Sequence, residues 1–135
     1  MSQTMNNRYS QPIRTLLALD AASCAVMGVA LVTASRPIAA LTLIPEALLT
    51  VAGASLLPIA LFMAACARAR RVPRWAVQLI IWGNFLWSAV SILLPLSALI
   101  EPNATGWTLL VGQAAMVSAL AVLEARASAS PSLQL

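Results

Sequence analysis

Residues 73–95 read PRWAVQLIIWGNFLWSAVSILLP. A proline opens the stretch, where a missing N–H costs a helix nothing, and after Arg74 no charged residue occurs before Glu101. The run is too long for a strand and lacks period-2 alternation. Its length matches one crossing of a hydrocarbon layer of about 30 Å at about 1.5 Å per residue. Its few polar residues keep helical phase: Asn84, Ser88, Ser91 and Pro95 follow one another at steps of four, three and four, while Trp75 and Trp82 fall nearly opposite. Polar groups in lipid turn toward protein or a cavity. The spacing therefore predicts a membrane-spanning helix with the Asn84 face inward and the Trp75/Trp82 face toward lipid or a partner subunit.

Working outward, three more runs of this kind appear. Together they predict spans at about 14–34, 46–67, 73–95 and 106–124, forming one transmembrane domain over 14–126 between polar tails at 1–13 and 127–135. The composition agrees: 61% of the 135 residues are hydrophobic and 9% are charged, against about a quarter charged in soluble domains. So short a soluble chain has too much surface to hide this much apolar area. The expected fold class is an all-α membrane protein, a four-transmembrane-helix antiparallel bundle whose short turns make sequence neighbours spatial neighbours. Ile38 to Pro45 is expected to be a short apolar loop, and Pro58 to kink the second span. The first run exceeds the usual signal-peptide core of about 7–15 residues, so it is expected to be retained.

The net charge is +4, carried by eight basic residues that are all arginine. With four spans, Arg8, Arg14, Arg68, Arg70, Arg71, Arg74 and Arg126 lie on one side and only Arg36 on the other. The positive-inside rule makes the rich side, with both termini, cytoplasmic. The basicity thus reports topology, and no nucleic-acid partner is expected.

The polar residues within the spans are the candidate site. Asp20 lies about 9 Å inside the arginine-rich end of the first span, on a face with Ser23, Cys24 and Met27. A charge there must be hydrated, paired or protonated, and Arg14 and Arg126 lie near its layer. It reads equally as a proton or cation site and as a structural ion pair. In the fourth span Gln113, Val117, Leu120 and Glu124 share a face. By helical rise Gln113 and Asn84 come within about one turn in depth, so a direct hydrogen bond between them is expected, either as interhelical glue or as a solute contact. Asp20, Asn84, Gln113 and Glu124 form the candidate intramembrane polar site; Arg36 and Glu46 are expected to pair at the outer end.

Several chemistries find no support. With no histidine, the commonest metal ligand and any Ser–His or Cys–His dyad are missing. No Cys-x-x-Cys, phosphate-binding glycine loop or hydrolase elbow occurs, so no enzyme activity, metal or cofactor is expected. Cys24 and Cys66 lie at different depths and are not expected to pair. Asn103-Ala104-Thr105 matches a glycosylation sequon, set aside here because it falls in a tight turn.

Leu19-Asp20-Ala21-Ala22-Ser23, Gly53 with Leu56-Leu57-Pro58, Asn84 with Trp87, Gln113-Ala114 and Leu123-Glu124 resemble a group of uncharacterised small bacterial four-span integral membrane proteins. The resemblance implies a four-helix bacterial inner-membrane protein and no activity; the all-arginine, alanine- and leucine-rich composition suggests a bacterial genome of high GC content. Small multidrug-resistance transporters are similar in length and span count and use one acid in the first span. Here Asp20 lies nearer the arginine-rich end, and the arginine bias favours a single orientation. The leading expectation is a non-enzymatic packing or accessory subunit of a homo-oligomer or larger membrane complex. The alternative is a small proton-coupled transporter or channel using Asp20.

Overall fold

The computed structural model describes residues 2–128, with side chains from residue 11 onward. The elements are α1 (Ser2–Thr33), α2 (Ser35–Thr42), α3 (Glu46–Arg68), α4 (Arg74–Leu96) and α5 (Ala104–Ser128). Every element among the described residues is a helix. Four stretches are long and apolar enough to cross a membrane: Gln11–Thr33, Glu46–Arg68, Arg74–Leu96 and Ala104–Ser128. The chain is an all-α, multi-pass membrane protein.

Three boundaries differ from expectation. The segment read as an N-terminal tail continues α1 back to Ser2, while residues 129–135 of the expected second tail lie outside the described residues. Ile38 to Pro45 is not wholly a loop: α2 covers its first half, with Pro37 in the first turn, where its missing N–H is tolerated. Leu43 then ends α2 in the left-handed region at φ 58°, its N–H bonded to Ala39 O at 2.8 Å. The last helix starts at Ala104 because Asn103 caps it: Asn103 Oδ1 accepts the Gly106 N–H at 2.9 Å.

The packing is that of two helix pairs. α1 lies along α3, α4 lies along α5, and α1 also touches α5. Contrary to the expectation that all sequence neighbours pack together, α3 and α4 make hardly any close backbone approach. They meet near their turn, where the Phe62 and Trp75 rings are 6.1 Å apart, and leave a cleft beyond it.

Two glycines bring α1 and α3 together. A Cβ placed on Gly53 would stand 2.8 Å from Gly28 O and 2.8 Å from Leu31 Cβ. Without side chains the backbones touch, and Leu49, Leu56, Ala60 and Met63 bury on the same side of α3. Both ends are tied by polar contacts. At the arginine-rich end the Arg14 guanidinium donates to Ala67 O at 3.0 Å and Arg70 O at 2.6 Å. At the other end Asn103 donates through its N–H to Thr42 O at 3.0 Å and through Nδ2 to Leu41 O at 2.9 Å.

The phase read for α4 is the one observed. Asn84, Ser88, Ser91 and Pro95 are buried, whereas Trp75 and Trp82 are 65% and 68% exposed.

Candidate functional site

Asp20 from α1, Asn84 from α4 and Glu124 from α5 meet inside the protein. Asn84 Nδ2 donates to Asp20 Oδ2 at 2.7 Å and to Glu124 Oε1 at 3.1 Å. Two carboxylates bonded to one nitrogen stand within about 6 Å of each other. Asp20 is 1% exposed and Glu124 0%. Around them, Cys24 Sγ lies 3.8 Å from Asp20 Oδ1, and Glu124 Oε2 has no hydrogen-bond partner among the described residues.

Side-chain direction explains how residues from different nominal depths converge. Each Cα–Cβ bond in a helix tilts toward that helix's N-terminus. α1 and α4 begin at the arginine-rich end, so Asp20 and Asn84 lean toward that end. α5 finishes there, so Glu124, one turn before the end of the helix, leans inward and reaches the same layer.

The expected hydrogen bond between Asn84 and Gln113 is not formed. Ser88 sets the α4–α5 register: its hydroxyl donates to Ala114 O at 3.1 Å and accepts from Ser118 Oγ at 3.0 Å. That places Asn84 nearer the arginine-rich end than Gln113, level with the carboxylates. The two arginines that the sequence places near Asp20's layer are also elsewhere. Arg14 is engaged by the Ala67 and Arg70 carbonyls, and Arg126 is exposed. Among the described residues no arginine nitrogen approaches either buried carboxylate within 4.0 Å. Arg36 and Glu46 do pair at the opposite end, at 4.0 Å and well exposed, a contact that contributes little. Cys24 and Cys66 are both free and buried.

A cavity of about 430 Å³ adjoins the polar cluster and has walls from α1, α3, α4 and α5. Asp20 and Asn84 belong to its wall, as does Gln113, and the rest is almost entirely apolar, with Met27, Phe62 and Trp87 among the larger groups. Along the α3–α4 cleft the lining residues Ile59, Leu79 and Gly83 are exposed, so the cavity opens sideways toward the lipid. Gly83 contributes to this opening: a Cβ there would meet nothing within 4 Å.

The individual polar residues of the site were readable in the sequence, since an acid in an apolar run stands out. Their convergence on one amide was not, because it depends on helix register and on which helices pack. Compared with protein-family models, with curated proteins and with solved structures, the chain matches none.

Proposed function

We propose that this chain is a small, non-enzymatic, proton-coupled membrane transporter in which Asp20 and Glu124, bridged by Asn84, bind and release a proton beside the lateral cavity. The observation that supports this most is the pair of fully buried carboxylates on one amide nitrogen, with no arginine nitrogen within 4.0 Å among the described residues. Two buried like charges repel, and each costs several kcal/mol (roughly) to strip of water. With no cation beside them among the described residues, a proton is the group that can neutralise the pair. Packing alone does not call for this arrangement; the neutral Ser88–Ala114 bond joins α4 to α5 without a charge.

The accessory-subunit reading is favoured by a different feature. Ala18, Ala22 and Ala25 on α1 face Ala60 and Ala64 on α3 across a shallow groove, the kind of small-residue surface on which another helix can pack. On either reading we place the protein in a bacterial inner membrane with both termini cytoplasmic, from the arginine distribution.

The deciding experiment reconstitutes the protein in liposomes carrying an internal pH dye and measures solute-dependent proton movement. Wild type is expected to move protons, and Asp20→Asn and Glu124→Gln to abolish the flux while the protein stays folded. A wild type that moves none across a broad solute panel, yet retains specific partner subunits after mild extraction, would replace transport with the accessory role.

A further inference from the structure

We infer that the lateral cavity binds a hydrophobic amine in its protonated form, entering from the bilayer between α3 and α4 and seating its ammonium on Asp20; this rests on the proton-exchange reading above. Three observations lead to this ligand class. The walls are almost wholly apolar, so the body of the ligand is apolar. Beside the Asn84 amide, the one carboxyl in the wall is that of Asp20, so the head is cationic. One oxygen of each acid is short of donors: Asp20 Oδ1 has only the Cys24 thiol at 3.8 Å, and Glu124 Oε2 has no partner among the described residues. A buried acceptor gains most from an N–H, which an alkylammonium carries and a quaternary ammonium does not.

Entry follows from the helix arrangement. The carboxylates are nearly inaccessible, whereas the cleft side of the cavity is flanked by exposed Ile59, Leu79 and Gly83. A hydrophobic amine already concentrates in the bilayer, so a sideways path needs no aqueous vestibule. The exchange conserves charge. One ammonium enters, one proton leaves the Asp20–Glu124 pair, and the net charge of the site is unchanged. The titratable and charged groups around the pair are few. Among the described residues, α1 adds Cys24, α5 adds Glu124 itself while its Arg126 is exposed, α4 adds the neutral Asn84, and α3 carries Cys66 nearer the end where Arg14 is bound to carbonyls.

The test uses the full chain in lipid nanodiscs, with empty nanodiscs as the blank, and three probes sharing one body: 4-phenylbutylamine, its N,N,N-trimethyl derivative and 4-phenylbutanol. Binding is followed by titration calorimetry in two buffers of different ionisation enthalpy, which gives the number of protons released. The amine is expected to bind about tenfold or more tightly than either analogue, with about one proton released per amine. Asp20→Asn should remove the preference for the amine. Gly83→Leu, which adds bulk where a side chain meets nothing within 4 Å, should weaken all three probes without unfolding the protein. Equal binding of the three probes would overturn the ligand class, and proton flux in liposomes would then still stand by itself. Amine-selective binding that persists in Gly83→Leu would overturn the location. Amine-selective binding without proton release would uphold the ligand class and sink the proton-exchange reading.

Discussion

Gly28 and Gly53 meet backbone to backbone where α1 crosses α3. A methyl group on Gly53 would have to sit 2.8 Å from Gly28 O, closer than van der Waals contact allows, and the obstacle is backbone rather than a flexible side-chain end. Gly53→Ala is therefore expected to push the two helices apart and lower stability by about 1–3 kcal/mol, as overpacking does. Gly112→Ala, on the lipid side of α5 with nothing within 4 Å of its Cβ, should be neutral or stabilising by up to about 1 kcal/mol from helix propensity alone. Thermal unfolding of the two variants in detergent reads the contrast directly. Equal melting temperatures would mean that α1 and α3 are not held at this crossing.

Asn84 is expected to couple energetically to Glu124 and not to Gln113. In a double-mutant cycle, Asn84→Leu with Glu124→Gln should show an interaction of about 0.5 kcal/mol or more, while Asn84→Leu with Gln113→Leu should be additive. Steric-trap unfolding in bicelles measures both cycles. The reverse ranking would place Asn84 against Gln113 and dissolve the three-residue cluster.

Arg14 ties the first span to the end of the second. Its two bonds to the Ala67 and Arg70 carbonyls are charge-assisted but partly wet. Arg14→Ala should cost about 1–2 kcal/mol, and Arg14→Lys should recover part of it, since an ammonium lacks the planar fork that reaches two carbonyls. If the guanidinium instead served to neutralise Asp20, Arg14→Ala would abolish folding unless Asp20→Asn accompanied it. That rescue is not expected.

Reporter fusions after Leu135 and within the Pro102 turn should appear in opposite compartments, with the Leu135 fusion cytoplasmic. The arginine distribution motivates this orientation. An external reporter at Leu135 would invert the topology.

The spans were legible in the sequence because the constraint that creates them is local: a helix that meets lipid must be apolar along its length. The inward face of α4 was legible for the same reason, since one helix carries both Asn84 and Trp82 and their phase is fixed by its own geometry. α2 was not, because its eight residues make little more than two turns, too few to tell a helix from an apolar loop by pattern, and only the left-handed turn at Leu43 marks its end. The looseness between α3 and α4 was also hidden. A short turn forces two helices to start together, but nothing in a turn says how far they diverge. Glu124 could be named as an intramembrane acid, yet its partner depends on where Ser88 meets Ala114, a register set between helices rather than within one.

The side chain of Asn103 has one further consequence. Its Nδ2 is engaged by Leu41 O and its Oδ1 caps α5, so both ends of the amide are occupied once the chain has folded. Transfer of a sugar requires this amide to leave both partners and enter the transferring enzyme's site. In a eukaryotic host that places this turn in the lumen, Asn103 would be modified only in chains whose turn had yet to close. The fraction of glycosylated product would then serve as a clock, comparing the rate of transfer with the rate at which α2 and α5 lock together.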